Sequence, residues 1–253
     1  MAVQHIVIIG ATSSIAEHCA RHWVTNAGAG NAIKLTLVGR QTEKIRLIAN
    51  DLTVRNPACT VQTLTTNFTD PDAITQLVNE VIALGPVDIV LIAHGSLPDQ
   101  GICQQDLRAN QDTLLVNGIS PVLFAEAFAK PMQAANAGTI AIIGSVAGDR
   151  GRKSNYVYGS AKGLVTRYAQ GLQHRLAATG VRVVLIKPGP TDTPMTARMK
   201  QQGAKLASVE SVAKGIVAAI QQGKPVAYVP GKWAIIMMII RHLPGFIFNK
   251  MDI

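Results

Sequence analysis

Seven short runs rich in β-branched and aliphatic residues punctuate the chain, at His5 to Ile9, Lys34 to Val38, Thr60 to Thr65, Val87 to Ala93, Thr139 to Ile143, Val181 to Ile186 and Val226 to Val229. They are nearly continuous in apolar residues instead of alternating, which predicts strands buried on both faces. The segments between them are long enough for crossover helices. Together these features predict an α/β fold, a doubly wound parallel (Rossmann) sheet of about seven strands with helices on both sides. Asp70 is placed as an N-cap, Pro71 takes the first helical position, an apolar rhythm runs on to Leu84, and Gly85-Pro86 stops the helix. The same reasoning predicts helices over Ser14 to Ala27, Asp106 to Ala135, Tyr158 to Thr179 and Val209 to Gln222. No long linker, repeat or low-complexity run interrupts the pattern, so residues 1–253 read as a single domain with 232–253 as a short apolar extension.

Composition adjusts this picture modestly. Hydrophobic residues make up 48% and charged ones 15% of the chain, which argues for a generous core and against disorder. A formal charge of +9 favours polyanionic neighbours such as nucleotide phosphates, anionic lipids or acidic carrier proteins. Nucleic acid is excluded as an expectation, because Lys and Arg are dispersed and no groove-reading or base-stacking motif is present. Cys19, Cys59 and Cys103 are odd in number and lack metal-ligand spacing, so no metal site is expected, and idle thiols in a reduced, cytoplasmic compartment are. The apolar start, Met1 to Gly10, lacks a basic leader and reads as a strand.

Three segments carry candidate chemistry. Gly10-Ala-Thr-Ser-Ser-Ile-Ala16 follows the first strand and opens the first helix, where such a turn either brings a helix N-terminus to a pyrophosphate or is simply tight. Gly39-Arg40 ends the second strand where a carboxylate would bond a ribose 2′-hydroxyl. Arg40 suits a 2′-phosphate instead, which favours NADP(H) over NAD(H). Tyr158 and Lys162, four residues apart, share one helix face. A phenol with an ordinary pKa of about 10 is pulled toward its anion by a neighbouring ammonium, which makes a general acid/base. Taken alone, the pair reads equally as ordinary helix-surface neighbours; Tyr156, with Ser160 four residues on, gains no charge.

In order and spacing these segments resemble the short-chain dehydrogenase/reductase family from Ile6 to about Met195. Gly10 to Ala16 is similar to the family's Gly-rich turn, Ala93-His94-Gly95 to its Asn-Ala-Gly, and Asn117 to the Asn of its fourth long helix. Ser145 stands thirteen residues before Tyr158, Lys162 completes Tyr-x-x-x-Lys, and Pro188-Gly-Pro-Thr-Asp-Thr193 matches the Pro-Gly segment. The resemblance implies an NADP(H)-dependent oxidoreductase in which Tyr158 protonates a carbonyl oxygen and Ser145 hydrogen-bonds it. Lys162 would hold the nicotinamide ribose and Asn117 would order a relay water. It further implies that Gly10, Thr12, Ser13, Ser14, Ile15, Arg40, Asn67, Ala93, Gly95, Pro188, Gly189, Thr191 and Thr193 meet the cofactor, and that the chain forms a homo-oligomer. Ser14 and Ala16 stand in place of two glycines, Ala93 in place of the Asn, and His94 in place of a small residue, which leaves the pocket's fine geometry open. A non-catalytic nucleotide-binding regulator is the reading from a different class.

Two features bear on the substrate. Residues 233–240 are apolar almost all round, too short to cross a bilayer, and suit a helix buried in the core or a subunit interface, a lid over a greasy substrate, or a membrane-surface segment with Trp233, Lys232, Arg241 and Lys250 at the headgroups. Asp149-Arg-Gly-Arg-Lys153 places three cations between the Ser and the Tyr, either as a solvated loop or as a receiver for an anionic substrate group. The run Gly144 to Arg150 and the Leu243-Pro244 tail are similar to the family branch containing decaprenylphosphoryl 2-keto-ribose reductases, which implies a lipid-linked keto substrate. A 3-ketoacyl thioester reductase is the competing enzyme reading.

Overall fold

Within the computed structural model, residues 3–27 and 32–251 are described. Strands β1 (Gln4–Ile9), β2 (Ile33–Gly39), β3 (Thr60–Thr65), β4 (Ile89–Ile92), β5 (Gly138–Ile143), β6 (Val181–Pro188) and β7 (Val226–Val229) form one sheet, in the order β3-β2-β1-β4-β5-β6-β7. Every neighbouring pair is parallel. Successive side chains along a strand point to opposite faces, so one face takes Ile6, Ile8, Leu35, Leu37, Leu91 and Ile186, and the other takes Val7, Ile9, Val38, Val90, Ile92 and Leu185. Both layers are dry, which explains the near-continuous apolar runs.

The first face is covered by α1 (Ser14–Thr25) and α9 (Val209–Gln221), through Ala16, Cys19, Trp23, Val212 and Ile216. α3 (Pro71–Ala83), α6 (Ser120–Ala135) and α7 (Tyr156–Leu176) cover the other, with Phe124 and Phe128 fully buried. Asp70 caps α3 as expected, accepting from the Asp72 N–H at 3.0 Å. All three cysteines are free and buried.

The structure corrects several expected boundaries. A helix over Thr42–Arg55, α2, was not predicted, because only Ile45, Ala49 and Leu52 turn inward among charged neighbours. The run expected as one helix from Asp106 to Ala135 is instead α5 (Leu107–Leu114), a π turn at Leu115–Ile119 and α6, preceded by α4 (Gln100–Gln105). Gly118 lies so close to α7 that a Cβ there would be 3.3 Å from the Ala161 Cα. The C-terminal segment forms α10 (Lys232–His242) and α11 (Gly245–Phe248), not a helix buried all round. Met237 is fully buried, whereas Ile235 is 63% exposed and Phe246 72%. Residues 252 and 253 of the extension lie outside the described residues.

One buried ion pair ties the sheet's carboxyl edge together. Asp149 ends a 3-10 turn after β5 (Val146–Asp149), and its carboxylate pairs with Lys187 of β6, the two side chains being 1% and 4% exposed. Tyr228 of β7 donates to the same carboxylate at 2.7 Å, and burial together with that carboxylate pushes the phenol up to about 12. Removing one partner of such a pair leaves an uncompensated buried charge, a cost of about 3–5 kcal/mol. Asp149→Ala is therefore expected to lower unfolding free energy by about that much in urea titrations, and Asp149→Leu/Lys187→Met to recover most of it. Equal losses in the single and double variants would refute this account.

Candidate active site

β1 is flanked by β2 and β4, so the chain reverses its winding there, and the loops leaving β1 and β4 splay apart into a cleft at the strands' carboxyl ends. Gly10 makes the first of these turns at φ +85°, where a Cβ would lie 2.7 Å from the His94 backbone nitrogen. Ser13, at the N-cap of α1, makes no side-chain capping bond, which leaves the first-turn N–H groups available to a ligand. A cleft of about 300 Å³ results, lined by Gly10, Thr12, Ser13, Ser14, Ile15, Arg40, Asn67, Gly95 and Thr193 among others. No carboxylate lines it, and Arg40 stands exposed at its rim. A helix N-terminus, a cation and no carboxylate are what a dinucleotide with a 2′-phosphate requires, so the residues fit NADP(H).

His94 occupies the cleft wall as a neutral imidazole that donates from Nε2. Its Nε2 lies 2.8 Å from the Ser120 hydroxyl, which itself donates to the Phe68 carbonyl at 2.5 Å, so Nε2 carries the proton. Nδ1 is buried and has no partner among the described residues. Burial, reinforced by the charges of Lys162 and Arg40, lowers the imidazole to about 3. The edges of Phe68 and Phe124 pack on the ring at 4.8 and 5.5 Å between centroids.

A second cavity of about 300 Å³ opens from the cleft, sharing Ser13, Ile15, His94, Gly95 and Thr193 with it. Ser145, Tyr158 and Lys162 line it, with Ala93, Pro188, Gly189 and Thr191. Close backbone approach brings the first three together. A Cβ on Gly148 would lie 2.6 Å from the Lys162 carbonyl, and one on Gly159 3.0 Å from the Ala147 carbonyl oxygen, so the turn after Ser145 rests directly on α7. Ser145 caps that turn, accepting from the Ala147 N–H at 3.1 Å.

The expected effect of Lys162 on Tyr158 is corrected. The ammonium lies 5.8 Å from the phenol ring centroid and donates to the Ile143 carbonyl at 3.0 Å. Desolvation raises the Tyr158 pKa, with only the Ser145 hydroxyl opposing, and burial lowers Lys162 to about 8. Each group is thus held toward its neutral form by loss of water, not drawn into charge by the other.

Asn117 lines neither cavity. Fully buried in the π turn, its amide accepts from Ser96 N–H at 2.8 Å and donates to the Thr113 carbonyl at 3.0 Å. It borders the catalytic cavity through Gly95, where a Cβ would meet its Oδ1 at 2.8 Å and the Lys162 ammonium at 3.8 Å. Thr191 donates to the Gly189 carbonyl at 2.9 Å, and Thr193 caps the 3-10 turn Pro194–Thr196 while lining both cavities. An ion pair between Arg198 of α8 (Ala197–Gln201) and Asp99 joins the two walls of the mouth.

The loop of three cations divides. Arg150 does not face the cavity as an anion receiver: its guanidinium donates to the Ile240 and Leu243 carbonyls at 2.6 Å and lies 3.8 Å over the Phe248 ring. It thereby holds the C-terminal end of α10, while Trp233 at the other end is not turned out to headgroups as the membrane-surface reading expects: its indole packs on Gly189 so closely that a Cβ there would overlap it at 2.0 Å. Arg152 does line the cavity, as do Asn155, Leu97, Met195 and Met199. These last four were not singled out in the sequence. Asn155, three residues before Tyr158, was within reach of the same helix-face argument.

An uncharacterized oxidoreductase of Mycobacterium tuberculosis (strain ATCC 25618 / H37Rv) is 30% identical over 249 residues, covering 97% of this chain and 96% of that protein. The uncharacterized oxidoreductase in the mprA 5′ region of Streptomyces coelicolor is 29% identical, covering 97% and 95%. Among solved structures, a short-chain dehydrogenase from Sphingobium yanoikuyae in complex with NADPH superposes with a TM-score of 0.81 at 20% identity, over 99% of this chain and 97% of that one. ElxO with NADP bound superposes at 0.79 and 18%, over 92% and 100%. The family model for short chain dehydrogenase matches residues 4–204, and the chain belongs to that family of oxidoreductases.

Proposed function

We propose that this protein is an NADP(H)-dependent reductase that converts a carbonyl to a secondary alcohol, or runs the reverse reaction. The observation that carries the reading is the shared cavity: Ser145, Tyr158 and Lys162 converge on one space that is continuous with the cleft at the α1 N-terminus. When bound, the nicotinamide supplies hydride to the carbonyl carbon. The Tyr158 phenol donates its proton to the carbonyl oxygen, and its raised pKa keeps that proton in place across neutral pH. Ser145 donates a hydrogen bond to the same oxygen, where negative charge grows in the transition state. Lys162 holds the ribose. Asn117 fixes the Gly95–Ser96 turn against this group, and its place behind Gly95 supports a role in ordering the water that returns a proton to Tyr158.

The tail supports a finer reading, an amphipathic or lipid-linked keto substrate reached from a membrane surface by a cytoplasmic enzyme. No described helix is long and apolar enough to cross a membrane. Ile235, Met238, Ile239 and Phe246 are nonetheless exposed on α10 and α11, with the exposed cations Lys232, Arg241 and Lys250 alongside. An exposed apolar face edged by cations suits the inner, anionic leaflet.

Tyr158→Phe is expected to lower turnover by about 10²-fold or more while leaving NADPH binding within about twofold, since only the transferable proton is lost. Unaltered turnover sinks the mechanism. In fluorescence titrations Arg40→Asp should weaken NADPH relative to NADH by about tenfold, which is about 1.4 kcal/mol. An unchanged preference removes Arg40 from its assigned role. Sedimentation with vesicles containing phosphatidylglycerol is expected to capture the wild-type chain and to lose Ile235→Glu/Ile239→Glu, which spares the Trp233 contact; equal capture of both dismisses the membrane reading.

A further inference from the structure

The catalytic cavity is lined by a cation that makes no ion pair among the described residues. Arg152 lines it, and the Arg152 Nε is buried with no hydrogen-bond partner among the described residues. Asp149, three residues earlier, is fully engaged, with one carboxylate oxygen on Lys187 and the other on Tyr228. Asp99 and Asp192, the acids near the mouth, pair with Arg198 and Lys200. No Asp or Glu is among the residues lining the cavity. Its two cations have different surroundings: Lys162 is tied to the Ile143 carbonyl and faces the cofactor end, whereas Arg152 lies in the turn that leads into α7.

That turn sets Arg152 next to the start of α7, and its side chain lines the same cavity as Tyr158. The Asn155 N–H donates to the Arg152 carbonyl at 3.1 Å, and Asn155 is the N-cap residue of α7, so Asn155, Tyr158 and Lys162 follow one another along a single helix face. The Asn155 side chain makes no capping bond, and its Oδ1 is buried without a partner among the described residues. An amide in this place can turn either end to a ligand. The positive end of a 21-residue helix adds to the potential at the same spot. Burial lowers the Arg152 pKa, and the charge of Asp149 opposes that shift.

We propose that Arg152, assisted by Asn155, is the substrate-specificity group of this site, binding a carboxylate or phosphate carried by the keto substrate close to the carbonyl that Tyr158 protonates. This rests on the reductase reading for which end of the cavity the substrate occupies. A bidentate guanidinium contact in a site of low dielectric discriminates strongly for the anion and against its neutral analogue.

The test is isothermal titration of inorganic phosphate and, separately, of oxalate into the enzyme saturated with NADP⁺, which keeps both anions from Arg40 and the α1 N-terminus. Wild type is expected to bind at least one anion, Arg152→Gln to weaken it at least tenfold, Arg152→Lys to retain part of it, and Lys153→Gln, on the exposed side of the loop, to stay within twofold. The anion that binds more tightly identifies the substrate's charged group. Equal binding by wild type and Arg152→Gln, no binding by wild type, or an equal loss in Lys153→Gln overturns the proposal. NADPH affinity within twofold of wild type shows that each variant is folded, and Arg152→Met replaces Arg152→Gln if it is not. Anion binding that depends on Arg152 in an enzyme whose Tyr158→Phe variant is fully active would remove the reductase reading and keep the anion site. The opposite pair of results would keep a reductase of neutral carbonyls.

Discussion

Between β1 and β4 the chain changes the side on which it adds strands, and the rest of the molecule is arranged around that reversal. Parallel strands buried on both faces need helices above and below, so every crossover must leave from the carboxyl edge of the sheet. Where successive crossovers depart in opposite directions, their loops cannot pack on one another. The turn at Gly10, the Ala93–Gly95 segment and the helix N-terminus at Ser14 therefore face an open cleft instead of a core, and the strands to one side, β5 and β6, bring Ser145 and Pro188–Gly189 to its continuation.

The second constraint is backbone proximity. Ser145 and the Tyr158–Lys162 face come from elements that touch only because Gly148 and Gly159 lack side chains; a methyl group at Gly148 would overlap the α7 backbone. The electrostatic consequence is a site shaped by desolvation. His94 is kept neutral, Lys162 is pulled down to about 8 and Tyr158 is pushed up, with desolvation the leading cause for each. The carboxylates that could have neutralised the cavity's cations are engaged elsewhere, Asp149 in the buried pair with Lys187 that joins the turn after β5 to the sheet edge.

The C-terminal helices bind into this arrangement through two contacts that also touch the site. Trp233 closes on Gly189, beside the cavity, and Arg150, in the loop after Ser145, holds the carbonyls at the end of α10. Only one face of the tail is used in docking, which leaves an apolar stripe to solvent next to the mouth.

Much of this was legible in the chain. Apolar runs of strand length, Asp70-Pro71 and Gly85-Pro86 report local preferences, and local preferences survive folding, so the seven strands and the main helices follow from sequence, as do the order and spacing of Gly10, Ser145, Tyr158 and Lys162. What depends on atoms far apart in sequence does not. The close approach of Gly118, in the π turn Leu115–Ile119, to Ala161 is one such case, and the neutral state of His94 is another, set by burial and by the charges of Lys162 and Arg40. Three cations in one loop look alike as a string. Only the fold sends Arg150 to the tail and Arg152 to the cavity, because a side chain's partners are decided by the packing of elements up to ninety residues distant along the chain.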